Sequence, residues 1–123
     1  MMNPLPIEDR MRIIQEYVPG RQVTLAHIIA SPEKILYEKL GLDPRIDYSK
    51  AAIGITTVTP SETAIIMADI AMKSSGIDLG FVDRFSGALI FTGSVSEVQA
   101  AMEALLEYVK EKLGYSVCQI TRT

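Results

Sequence analysis

The sequence has no tryptophan, one histidine and one cysteine in 123 residues. A lone Cys118 forms no internal disulfide and no cysteine zinc site, so the chain suits a reducing cytoplasm. Its default role is a small buried hydrophobe. His27 sits in an apolar run without an acid or cysteine at ligand spacing and reads as a core or interface imidazole. No apolar run approaches the ~18 residues of a membrane span, which leaves out a membrane partner. Met1 to Pro6 lacks the basic region and apolar stretch of a signal peptide. No run of five like charges occurs, and 12 Lys+Arg against 15 Asp+Glu leave a net charge of −3. Phosphate binding needs a basic face, so nucleic acid is excluded as the main ligand. There is no G-x-G-x-x-G and no P-loop, and the carboxylates form no acid–base pair. No metal, no cofactor and no catalytic site are expected from this inventory.

What is present is a globular composition, 48% hydrophobic and 22% charged. A chain of this length makes one domain and buries roughly two-thirds of its unfolded surface. That is enough for a core without staples. Mean hydropathy is +0.21, apolar for a lone soluble chain, and this hints at buried subunit contacts.

Residues 1–10 read as a lead-in, and Arg12 to Val18 as a short strand ending at Pro19-Gly20. Gln22 to Ala30 is β-rich. Ser31-Pro32-Glu33 has the form of a helix start, with a Ser cap, Pro next and an acid in the first turn. That helix stops at Gly41. A strand over Ala51–Val58 leads into Thr59-Pro60-Ser61-Glu62, a capping box opening a helix to about Ser75. Ile77–Val82 and Ala88–Thr92 read as strands around the loop Asp83–Gly87. Ser94-Val95-Ser96-Glu97 is a second capping box. Its helix lines up Val95, Val98, Met102, Leu105, Val109 and Leu113 in one stripe. Met67, Met72 and Met102 read as core filler. Tyr115–Thr121 reads as a last strand. The two boxes make tandem βαβ units, a ferredoxin-like α+β fold with two helices on one face of an antiparallel sheet. Asp69 and Lys73, at i and i+4, read as a surface ion pair.

Ala52-Ile53-Gly54-Ile55-Thr56-Thr57-Val58-Thr59-Pro60-Ser61-Glu62-Thr63-Ala64, then Ala68-Asp69-Ile70-Ala71-Met72-Lys73, then Gly80-Phe81-Val82-Asp83-Arg84-Phe85-Ser86-Gly87-Ala88, resemble the BMC domain of bacterial microcompartment shell proteins. Ile14-Gln15-Glu16-Tyr17-Val18-Pro19-Gly20 and Val23-Thr24-Leu25-Ala26-His27-Ile28-Ile29-Ala30 narrow the resemblance to circularly permuted shell proteins of the EutS/PduU/CutR type, from ethanolamine, propanediol and choline utilisation compartments. In ordinary BMC domains a strand and a short helix close the chain. Here a similar pair, Val23 to Gly41, comes before the βαββα body.

The resemblance implies a permuted BMC domain over 21–123, preceded by an extension and barrel strand over 1–20. It implies a homohexamer that tiles into a shell in the bacterial cytoplasm and governs metabolite passage. Its partners would be other shell proteins and encapsulated enzymes. Asp83, Arg84, Phe85, Ser86 and Gly87 fall at the pore-rim loop, and Lys73 at the hexamer–hexamer edge. Ile13, Ile14, Gln15, Glu16, Tyr17 and Val18 fall on the strand that builds a barrel over the pore. Ordinary edges also use an arginine in a Pro-Arg-Pro-like turn, and this chain has Ala30-Ser31-Pro32 there. Plainer readings stand beside these: Lys73 as a solvated helix-end cation, Asp83–Gly87 as a hairpin turn. The alternative function is a ferredoxin-like small-molecule-sensing regulatory module.

Overall fold

The computed structural model describes residues 20–49 and 51–123. Three β-rich runs make the middle of the sheet: β1 (Gln22–Ile29), β2 (Ala52–Thr59) and β4 (Ala88–Gly93). The outer strands are β3 (Asp78–Val82) and the two-residue β5 (Thr121–Arg122). The helices are α1 (Lys34–Lys39), α2 (Thr63–Ser74) and α3 (Val95–Glu111). The strand order is β3-β4-β2-β1-β5, antiparallel throughout except for the parallel β1–β5 pair.

This order displays the permutation. In a βαββαβ sheet the last strand lies beside the first. Here β1, from the front of the chain, fills that place next to β2. The expected strand over Tyr115–Thr121 is therefore pushed outside β1. It touches β1 through a bridge from Ser116 to Gln22 and through Thr121–Arg122, and the residues between follow no regular ladder. That corrects the expectation of a full closing strand. Hydroxyl contacts add to the hold: His27 Nδ1 lies 2.6 Å from Thr121 Oγ1, and Nε2 lies 2.9 Å from Thr123 Oγ1. The lone histidine ties the chain's last residues to the sheet.

Side chains alternate across the strands and build two cores. One lies between the sheet and the α2–α3 layer, around Ile28, Ala52, Leu89, Phe91, Met67, Met102 and Leu105. Gly54 leaves room for the Phe91 ring, since a Cβ there would stand 2.6 Å from its edge. The second, on the opposite sheet face, joins Tyr37 and Leu42 to Ile53 and Ile90. Tyr37 donates to the Ala51 carbonyl at 2.5 Å and stacks on Tyr48 at 4.7 Å. Cys118 is half-buried against the first core. Burial pushes its thiol above the usual range.

The two expected capping boxes part company. Ser94 forms one: the Glu97 amide donates to Ser94 Oγ at 3.2 Å, and the Ser94 amide donates to the Glu97 carboxylate at 2.9 Å. Thr59 does not. α2 is entered through a tighter turn, in which the amides of Thr63, Ala64 and Ile65 donate to the carbonyls of Pro60, Ser61 and Glu62. The first N–H groups of the helix are thus satisfied without a hydroxyl cap. α1 also starts later than expected, at Lys34, with no side-chain cap. The Ala30 amide still donates to the Thr123 carbonyl, so Ser31 to Glu33 are used in leaving the sheet. The expected strand Arg12–Val18 lies outside the described residues.

Candidate functional site

The turn between β3 and β4 is tied from within. The Asp83 amide donates to the Ala88 carbonyl and the Gly87 amide to the Asp83 carbonyl, both at 2.8 Å. One oxygen of the Asp83 carboxylate accepts the Phe85 amide at 2.8 Å, and the other accepts the Ser86 hydroxyl at 2.9 Å. The Phe85 N–H is the leading reason that this carboxyl is held below the usual aspartate range, with Ser86 adding to it. The Gly87 carbonyl takes the Val58 amide at 3.1 Å, which docks the turn on the end of β2. Gly87 has φ +81°, and a Cβ would run into the Val58 carbonyl. Glycine is required there twice over, by conformation and by space.

This scaffold consumes Asp83, Ser86 and Gly87 internally and displays the remaining two residues. Phe85 is 80% exposed, against the pattern for a large aromatic. The Arg84 guanidinium lies 4.9 Å from its ring centre, a cation–π distance. The turn therefore presents an aromatic ring with a cation over it, on a stiff base. A hollow of about 340 Å³ beside it is lined by Ile65 and by Val82 to Phe85.

Lys73 stands in the last turn of α2, where a cation suits the helix dipole. Its Nζ lies 2.7 Å from Asp69 Oδ2, and both side chains are mostly exposed. The hydrogen bond to Asp69 raises the ammonium above the usual lysine range. The expected i, i+4 pair is present and draws on exposed groups alone. The structure does not gather Lys73 and the Asp83–Gly87 turn. Ile65 puts the start of α2 beside Phe85, and Lys73 lies near its far end, about 12 Å along the helix from Ile65. Ile13 to Val18 lie outside the described residues.

Sequence reasoning missed the outer face of α2. Met72, expected in the core, is 51% exposed, while Met67 and Met102 are buried. Ile65 and Ile66 join Met72 outside. The signal was available: apolar residues in 63–74 occupy all sides of the helix, not one stripe. A different hollow, of about 610 Å³, lies by α1 between Lys34, Tyr37, Leu42 and Tyr48. None of the predicted site residues lines it. Among the described residues, no three His, Cys, Asp or Glu side chains are grouped to hold a metal, and no helix is long and apolar enough to cross a membrane.

The profile of the BMC domain matches residues 52–122, which is more than half of the chain and begins after the transposed β1–α1 pair. The chain is 51% identical to the bacterial microcompartment shell protein PduU of Salmonella typhimurium over 122 residues, covering 99% of this chain and 100% of that one. It is 46% identical to the shell protein EutS of Escherichia coli, covering 94% and 99%. Among solved structures it is similar to a CutR flat hexamer, with a TM-score of 0.78 and 48% identity over 89% of this chain and 97% of that one.

Proposed function

The chain belongs to the BMC-domain family of bacterial microcompartment shell proteins, in its circularly permuted EutS/PduU/CutR branch, and we propose from that membership that it is a hexameric tile of such a shell. Near-full-length similarity to PduU at 51% identity is the observation that carries this reading and favours it over a sensing module. The solved relative CutR, a flat hexamer, supplies the ring. The protein works in the bacterial cytoplasm as part of the shell, with other shell proteins as neighbours and encapsulated enzymes within. The permuted BMC domain spans 21–123, and residues 1–20 extend it.

In this reading Asp83–Gly87 rims the central pore. Support comes from the rigidity of the turn and from what it offers: six Arg84–Phe85 units around an axis make a narrow, apolar, positively edged opening. Lys73 lies on the edge between hexamers, supported by its exposure and its place at the end of α2. Such edges are isologous, each pairing two copies of one lysine.

The test is electron microscopy of concentrated wild type and Lys73→Ala, with sizing chromatography in parallel. Wild type forms extended sheets or tubes. The variant stays hexameric and forms none. Equal sheets from both return Lys73 to a plain solvated cation.

A further inference from the structure

The hollow of about 340 Å³ beside the β3–β4 turn is walled by Ile65, Val82 and Phe85 and carries two charged side chains, Asp83 and Arg84. The two charges are not equivalent. Both oxygens of the Asp83 carboxylate are in use, one by the Phe85 amide at 2.8 Å and the other by the Ser86 hydroxyl at 2.9 Å. Among the described residues Arg84 has no such partner. The ion pairs between them, Asp43–Arg45 and Asp69–Lys73, leave it out, and its guanidinium rests 4.9 Å from the centre of the Phe85 ring. A ring face attracts the charge but does not replace the oxygen acceptors that a guanidinium's five N–H donors take.

The larger hollow by α1 has a different balance, one cation, Lys34, against the acids Glu38 and Asp47. In the smaller one, a cation without a free acid stands beside an apolar wall. Its volume lies at the lower end of the ligand-pocket range of about 300–1,000 Å³, which suits a molecule of a few carbon atoms. A carboxylate is the group that a guanidinium fork matches, through two parallel N–H···O bonds. An alkyl tail on that carboxylate removes Ile65, Val82 and Phe85 surface from water.

We infer that this hollow binds a short-chain aliphatic carboxylate, its anionic head on Arg84 and its alkyl tail on the wall of Ile65, Val82 and Phe85. The site goes beyond the ring reading, since all its residues come from one chain. Where six copies surround an axis with this turn at the rim, six such sites stand at the mouth of the opening. The turn is set before any ligand arrives: the bonds within Asp83–Gly87 and the docking of Gly87 on Val58 fix the backbone that carries Arg84 and Phe85. Less ordering is then left for binding to bring about.

Saturation-transfer NMR on the full chain at fixed ionic strength tests this, with butyrate, acetate and butylammonium as probes and light scattering on the same samples. Butyrate should give a saturable signal and butylammonium none. Acetate should bind about fivefold more weakly or worse, since a fully buried methylene is worth roughly fourfold and butyrate carries two more. Arg84→Gln should weaken butyrate about tenfold or more, the loss of a charge-assisted hydrogen bond. Arg45→Gln, away from the hollow and paired with Asp43, should leave butyrate binding unchanged. Arg84 is exposed, so its substitution spares the core, and the three probes on wild type need no variant at all. No saturable butyrate signal, equal signals from butyrate and butylammonium, or full binding by Arg84→Gln overturns the inference. So does equal loss in both arginine variants, which is general charge attraction, and so does equal affinity for acetate and butyrate, which is a bare anion contact. Scattering that shows no hexamer overturns the ring reading and leaves the site to the titration alone.

Discussion

α3 meets water with Glu103, Glu107 and Lys110, whereas α2, packed beside it on the same sheet, meets it with Ile65, Ile66 and Met72. Their inner faces differ in the opposite sense. α3 turns Val98, Met102, Leu105 and Val109 to the core, and α2 turns Ala64, Ala68 and Ala71 with a single Met67. Small residues let α2 lie close to its neighbours, so little of its apolar content is used inside the chain. α3 turns charged side chains to water, whereas α2 keeps three large apolar side chains there beside the Asp69–Lys73 pair. Two helices on one face of one sheet are thus built to opposite plans, one with a bulky inner face and a charged outer one, the other with a small inner face and an apolar outer one.

The largest effects should follow from the inner faces. Leu105→Ala removes a fully buried side chain from α3 and should cost about 2–5 kcal/mol of folding stability by denaturant titration. On α2 the damaging change runs the other way. Ala71→Leu forces extra volume into a fully buried position and should cost about 1–3 kcal/mol. If Ala71→Leu were neutral, the two inner faces would not differ as described.

Next come the helix starts. Ser94→Ala breaks a formed capping box and should cost about 1 kcal/mol. Thr59→Ala, at the box that does not form, should stay within about 0.5 kcal/mol, the range of an ordinary surface change. Equal losses would show that Thr59 caps α2 in solution.

The smallest effect is a pH response of the turn at the head of α2. The Asp83 carboxyl is lowered by the Phe85 amide and the Ser86 hydroxyl. A group with a depressed folded pKa lends its stability above the unfolded value and loses it as pH falls through the folded one. The Phe85 amide resonance should therefore hold still from pH 7 to 5 and move only below the ordinary aspartate value of about 4. Movement centred at or above that value would contradict the caged carboxylate.

Much of the fold was legible because its signals are local. The stripe from Val98 to Val109, the Ser94 box and the Asp83–Gly87 turn need only their own neighbours in sequence. Thr59 shows the limit. The same four-residue pattern stands at both helices, and the route by which the chain leaves β2 decided that one is unused. Tyr115–Thr121 shows a second limit. Its β-rich residues read as a strand, but the place beside β2 goes to whichever segment packs best there, and β1 holds it. Of the candidate site, the Asp83–Gly87 turn was readable from its Asp, Ser and Gly and the Asp69–Lys73 pair from its i, i+4 spacing, whereas a pore or edge role for them comes only from the family resemblance. Met72 was misplaced because a methionine on a helix says nothing of which side it faces until the sheet is laid under it.

In the proposed reading the chain folds as one domain and works as one of six copies in a ring. The molar mass of the wild-type protein at micromolar concentration, measured by light scattering, tests this most directly. The account predicts one discrete species of six 13.5 kDa chains. A stable monomer or dimer at that concentration would contradict it.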